Sequence, residues 1–169
     1  LLLVSYKKIE IMDTTLRDGE QTSGISFSPI EKLSISKLLL QELKINRIEV
    51  ASARVSEGEM NAVKLITDWA KDSGLDEKIE ILSFVDGGSS IKWMEKAGAK
   101  TQNLLTKGSI NHLTNQIKKT PSHHFKDISK VIQYAEDLGI RTNVYLEDWS
   151  NGMKNSKSYV MDMVKFLSE

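Results

Sequence analysis

An α/β fold with parallel strands separated by crossover helices is predicted for this chain of 169 residues. Short apolar runs recur between longer amphipathic ones, and glycines mark the junctions where each helix gives way to the next strand. With 40% hydrophobic residues the chain can bury one core, but it lies near the low end for two.

The strands are expected at KIEIMD (8–13), RIEVAS (47–52), IEILSF (79–84), TQNLLT (101–106) and TNVYLE (142–147). Between them the helices carry legible boundaries. In SPIEKLSISKLLLQEL, Ser28 suits the N-cap, Pro29 the first helical position, and Glu31 completes a capping box. Thr120 and Pro121 repeat the arrangement ahead of a helix that aligns Ile128, Val131, Ile132 and Ala135 on one face. Gly74, Gly98 and Gly139 read as left-handed C-terminal caps. A last helix places Val160, Met163, Val164 and Leu167 at helical spacing, and the sequence ends two residues later. Such a series winds either into an open doubly wound sheet or into the first part of an eight-stranded barrel of ~250 residues, which five units cannot close.

Lys and Arg number 23, as do Asp and Glu, so no global field draws nucleic acid or an anionic membrane, and small-molecule partners are expected. The absence of cysteine excludes disulfides, zinc–cysteine sites and thiol nucleophiles, and fits a reducing compartment. The opening LLLVSY has neither a basic flank nor a cleavage site and reads as a tail or a lead-in to the first strand. No stretch approaches the ~20 apolar residues of a membrane span.

Parallel strands deliver their C-terminal ends to one rim, where ligands bind. There the chain collects Asp13, Arg17, Asp18, Glu20 and Gln21 from DTTLRDGEQ, then Glu49, Ser52, Asp86, Lys107, Glu147 and Asp148. An adjacent Arg–Asp pair suits metal ligation by the carboxylate and donation to a carboxylate or enolate by the guanidinium. It equally suits a salt-bridged surface turn. Glu147, beside Tyr145 and Leu146, is either a solvated strand end or an acid–base group. His112, His123 and His124 lack a ligand spacing and are expected at the surface, while Trp69, Trp93 and Trp149 are expected to pack the core. DGGSS (86–90) is expected to do no more than cap a helix.

DTTLRDGEQ, followed by RIEVASARVS and NVYLEDWSNG, resembles the N-terminal catalytic barrel of the 2-isopropylmalate, citramalate and homocitrate synthase family, whose first signature is shared with hydroxymethylglutaryl-CoA lyase. The resemblance covers Lys8 to Glu169. It implies that residues 1–169 are the N-terminal portion of a TIM barrel, about the first five units of a (β/α)8 fold, within a longer protein. EILSFVDG, NLLTKGS and NVYLEDWSNG resemble the citramalate synthases most, which implies pyruvate as the 2-oxo acid, with 2-oxoisovalerate as the alternative. The resemblance further implies a Claisen-type condensation with acetyl-CoA, a divalent metal (Mg, Mn or Zn), a cytoplasmic homodimer and a place in leucine or isoleucine biosynthesis. It assigns Asp18 to the metal, Arg17 to the oxyanion or enolate, Glu147 to acid–base work, Gln21 and Glu49 to support of the site, and Leu82, Leu105 and Tyr145 to the substrate pocket. The family's His-x-His ligands and glycine-rich second signature are not in these residues, so the piece alone is expected to be inactive. The competing readings are a retro-Claisen lyase and a non-catalytic barrel piece that associates through its open edges.

Overall fold

The computed structural model describes residues 9–168; LLLVSY, and the Lys8 that opens the first expected strand, lie outside the described residues. Five strands form one parallel sheet in chain order: β1 (Met12–Asp13), β2 (Arg47–Ser52), β3 (Ile79–Phe84), β4 (Thr101–Lys107) and β5 (Arg141–Glu147). The last four match their expected ranges to within one residue. Among the described residues of the first, only Met12 and Asp13 pair as a strand, and the Ile11 amide donates to the Asn46 side chain at 2.8 Å instead of to the ladder.

The sheet curls. The Tyr145 hydroxyl on β5 lies 3.6 Å from the Met12 sulfur on β1, so the two edges of the sheet approach across a concave face. An open doubly wound sheet keeps its edge strands far apart, and the curl therefore selects the partial TIM barrel. Helices α1 (Pro29–Lys37), α2 (Glu57–Asp72), α3 (Ser89–Lys96), α4 (Pro121–Asp137), α5 (Trp149–Asn155) and α6 (Lys157–Ser168) follow the strands. Ile48, Val50, Ile79, Ile81 and Leu104 meet Ile66, Ile91, Met94, Ile128 and Met163 in the core between sheet and helices, each at most 1% exposed.

The caps form as read. Ser28 and Glu31 make the reciprocal box, Thr120 accepts from the His123 amide, and Gly74, Gly98 and Gly139 take positive φ. At DGGSS the cap is the Asp86 carboxylate, which accepts from the Ser90 amide and hydroxyl. Two apolar expectations fail. Val164 is 42% exposed, because the buried face of α6 runs instead through Tyr159, Val160 and Met163. Trp149 opens α5 at the surface, whereas Trp93 is buried and Trp69 packs against the core in part.

The concave face is polar. Arg47 bonds Glu80 at 2.9 Å, Asn103 bonds Glu49 at 2.7 Å, Asn143 bonds Asn103 at 2.9 Å, and Arg141 bonds Thr101 at 2.9 Å. This explains Thr101 and Asn103 of β4, buried although TQNLLT is half polar; Gln102 and Thr106, buried on the opposite face, bond to Ser83 and Thr142 and to the Tyr145 carbonyl. Partners on neighbouring strands satisfy most of these groups, as buried polar atoms require, while Arg47 Nε and Glu80 Oε2 have no hydrogen bond.

Candidate functional site at the C-terminal strand ends

At the end of β1 the Asp13 carboxylate accepts from the Thr15 amide and hydroxyl, at 2.9 and 3.1 Å. The amides of Arg17, Asp18 and Gly19 all turn back onto the Thr14 carbonyl. This tight turn buries Leu16 at 1% exposure and sends Arg17 towards β2. There its Nε donates to Glu49 Oε2 at 2.5 Å, and its Nη1 donates to Asp18 Oδ1 at 2.6 Å. Glu49 is wholly buried, and its other oxygen accepts from Asn103. A buried carboxylate is tolerated only when a cation and further donors surround it. The guanidinium is thus fixed by a partner that solvent does not reach. Asp18 keeps a side chain 60% exposed, and exposed Gln21 joins Arg17, Ser52, Ile25 and Val55 around a cleft of about 370 Å³.

Leu82 is buried and stands in register with Ser52 and Asn103, and Leu105 stands in register with Tyr145. By strand alternation these side chains share the concave face with Glu49 and Asn103 and give it an apolar strip. Burial, then the charges of Glu49 and Glu80, push the Tyr145 phenol well above its ordinary range, so it stays a neutral hydroxyl.

Glu147 closes β5 on the same face, two residues beyond Tyr145. Its contacts are an ion pair with Lys107 and, at 3.9 Å, the Nδ1 of His112; none joins it to Arg17. Lys107 also donates to Gln116 at 3.0 Å. Asp148 follows in a left-handed conformation, φ 63°, where donation from Ser109 and then Asn151 holds its carboxyl below the usual range. The structure therefore unites Arg17, Asp18 and Glu49 directly. It sets Leu82, Leu105 and Tyr145 on the face that Glu49 shares, and Gln21 at the cleft, and leaves Glu147 with Lys107 at the opposite edge of the same rim.

Two of the three histidines are not the surface residues expected. His112 stands between Glu147 and Asp148, with Nε2 3.5 Å from the latter. His124 is 1% exposed, and its Nε2 accepts from the Lys107 amide at 3.2 Å while the Tyr159 hydroxyl donates to the Lys107 carbonyl at 2.6 Å. His123, on the diverging side of the helix, is exposed. The neighbouring pair HH in a first helical turn gives the sequence no means of showing which ring turns inward.

Burial, helped by the charges of Lys119 and Lys107 and opposed by Asp127, lowers the His124 imidazole from 6.5 to about 4. A group that stays neutral when folded and protonates more readily when unfolded supports the fold above the unfolded value and loses that support as pH falls. Stability is therefore expected to decline between pH 6.5 and about 4. The lowered carboxyls of Asp76, Asp86, Asp127 and Asp148 depart from an ordinary value of 3.8, below that window, and Glu31, lowered from 4.5 by Ser28, touches only its acid end. His124→Gln keeps an acceptor for the Lys107 amide and should flatten this decline, as read by thermal midpoints at pH 7 and near pH 4.5.

A divalent cation at the rim would need free oxygen donors. Asp18 is exposed and accepts from Arg17 at Oδ1, whereas both oxygens of Glu49 accept from Arg17 and Asn103 and both oxygens of Asp13 accept from Thr15. Among the described residues no group of three or more His, Asp or Glu side chains is placed to hold a cation. Asp18 fits as one ligand of a hard cation that takes about six oxygens. A larger cavity, about 980 Å³, opens at the N-terminal strand ends beside Arg47, Glu80, Thr101 and Arg141. Its size reflects the open interior of the curl, and the loops that carry reactive groups in parallel barrels lie at the other end.

Curled parallel strands with a charged, partly buried cluster on the loops at their C-terminal ends define a partial barrel of the TIM type with a charged rim. The chain belongs to the HMGL-like family, which matches residues 8–168. It is 36% identical to an (R)-citramalate synthase of Methanocaldococcus jannaschii over 162 residues, 95% of this chain and 30% of that protein. It is 33% identical to a 2-isopropylmalate synthase of Lactococcus lactis, over 78% of this chain and 25% of that one. Among solved structures, an HMG-CoA lyase of Acinetobacter baumannii in complex with coenzyme A and 3-methylmalate superposes with a TM-score of 0.60 at 18% identity, covering 93% of this chain and 52% of that one. An HMG-CoA lyase of Bacillus subtilis gives 0.59 at 19%, covering 83% and 47%. The chain thus spans about a third or less of those two synthases and about half of those lyases. No helix among the described residues is long and apolar enough to cross a membrane.

Proposed function

We propose that the polypeptide carrying this chain condenses acetyl-CoA with a 2-oxo acid, pyruvate in preference to 2-oxoisovalerate, in branched-chain amino-acid biosynthesis. The observation that supports this most is Arg17, held between buried Glu49 and exposed Asp18, with the apolar strip of Leu82, Leu105 and Tyr145 on the face that Glu49 shares. In this reading the strip receives the methyl of pyruvate and excludes water, while Arg17 donates to the ketone oxygen as negative charge grows there. Gln21 orients the 2-oxo acid, and Glu49 keeps the guanidinium aimed. Glu147 takes a proton from the acetyl methyl of acetyl-CoA. The carbon so freed bonds to the ketone carbon, whose C=O pair moves onto oxygen and takes up the proton that Glu147 removed, and water then cleaves the thioester, releasing coenzyme A. A divalent cation, Mg, Mn or Zn, held by Asp18 and by donors outside residues 9–168, would supply Lewis-acid polarisation of the ketone. In this reading residues 1–169 are the N-terminal portion of the catalytic barrel, and the whole protein is a cytoplasmic homodimer.

The test measures coenzyme A thiol released from acetyl-CoA by that polypeptide with pyruvate, with 2-oxoisovalerate and with no 2-oxo acid. Release that requires a 2-oxo acid, with pyruvate favoured roughly 10-fold or more, is expected from a pocket that discriminates methylenes. Cleavage of hydroxymethylglutaryl-CoA in place of condensation would overturn the proposal in favour of the lyase direction.

A further inference from the structure

Lys32 is the fourth residue of α1 and is completely buried, whereas Ile30 of the same helix and Leu38 directly after it are 63% and 52% exposed. An amphipathic helix would reverse that arrangement. The ammonium reaches Glu59 Oε1 at 2.5 Å, Glu20 Oε2 at 2.6 Å, the Leu16 carbonyl at 3.2 Å and the Val50 carbonyl at 3.3 Å. Leu16 directly precedes Arg17, and Val50 directly follows Glu49. One cation therefore grips the backbone next to both members of the Arg17–Glu49 pair. Glu20 also accepts from the Phe27 amide at 2.9 Å, closing the loop that carries Arg17 and Asp18. Taking an ammonium fully out of water is costly, and an apolar side chain of the same volume would avoid that cost.

We propose that Lys32 is a positioning residue for the C-terminal rim: it holds the Leu16 and Val50 carbonyls together so that Arg17 meets Glu49 in one orientation. It touches no reacting atom, and its relevance to catalysis rests on the condensation proposed above. The grip itself does not. Removing it should free Arg17 while the fold persists.

The test reads the Arg17 Nε–Hε resonance of this chain by ¹H–¹⁵N NMR, assigned by its loss in Arg17→Lys. A hydrogen bond to buried Glu49 should keep this proton slow to exchange and shifted from free arginine. Lys32→Met alone leaves Glu20 and Glu59 facing each other, so Lys32→Met combined with Glu20→Gln and Glu59→Gln removes the charge of the whole cluster. In the folded triple variant the Arg17 proton is expected to exchange on the order of 10-fold faster or more and to move towards the free value, a loss of local protection within an intact fold. An unmoved, protected signal in that variant overturns the proposal. Should both variants unfold, Glu20→Gln with Glu59→Gln and Lys32 retained keeps the carbonyl grip. A preserved Arg17 signal there supports the proposal, and a lost one overturns it. Absence of 2-oxo acid turnover would sink the condensation reading and leave the Arg17 signal as it is, so the two failures are distinct.

Discussion

Glu147→Gln is expected to lower the turnover of the proposed acetyl-CoA condensation by about 10²–10⁴-fold, the usual contribution of a positioned general base. KM for the 2-oxo acid should change little, because the lost interaction belongs to the proton-transfer step and not to binding. Glutamine has the shape of glutamate and still accepts from Lys107, whose ammonium is the closest partner of Glu147. The substituted side chain cannot take up a proton. The pair is partly open to solvent, with side chains 16% and 35% exposed, so breaking its charge should cost little stability. A thermal midpoint near that of the wild type together with a collapsed kcat is the expected combination. Equal losses in stability and activity would instead mark Glu147 as a structural residue.

Gly152→Ala is expected to destabilise the chain by about 3 kcal/mol, the upper end for overpacking. For a chain of this size that lowers the thermal midpoint by about 6–12 °C. Helix α5 crosses the end of β4 at this glycine, and an added methyl would run into the Gly108 carbonyl and come within 2.9 Å of a Val160 methyl. Neither neighbour can yield. The Gly108 amide donates to the Glu147 carbonyl at 2.7 Å, and any methyl on Gly108 itself would lie 2.8 Å from that same carbonyl oxygen. Three backbones therefore pack in one place, so relief at Gly152 must displace the segment that bears Glu147. Differential scanning fluorimetry reads the stability change.

The fold was legible because each βα unit is written locally. Alternating apolar runs, the Ser28–Pro29–Glu31 cap and the glycines at 74, 98 and 139 need no information from elsewhere in the chain, and each was found where expected. The curl was not local: it depends on Tyr145 reaching Met12 across 133 positions of sequence. The rim was half legible. DTTLRDGEQ announced a charged turn, but nothing near Glu49 shows that its carboxylate is buried, that Arg17 neutralises it or that Asn103 and Asn143 complete it. Polar residues in a strand read as exposure, and here they line an interior where neighbouring strands satisfy them. Lys32 lay hidden for the same reason, since a lysine in a helix ordinarily signals the solvent face. At HH (123–124) and in the last helix the periodicity was right, but the choice of inward residue was set by tertiary partners: Lys107 for His124, and the core for Tyr159 in place of Val164.

In the proposed function the 2-oxo acid is handled at the C-terminal rim by Arg17, and not in the larger cavity at the opposite end of the strands. Comparing kcat/KM for pyruvate-dependent release of coenzyme A in Arg17→Lys and Arg141→Lys tests this most directly. A lysine at position 17 keeps the charge but lacks the fork that meets Glu49 and Asp18 together. Loss of one such donor to a developing oxyanion is expected to reduce kcat/KM by about 10²–10³-fold. Arg141 lines the other cavity, where its side chain is 57% exposed and paired with Glu77, and its replacement should leave kcat/KM essentially unchanged. The reverse result, with Arg17→Lys active and Arg141→Lys impaired, would contradict this assignment of the site.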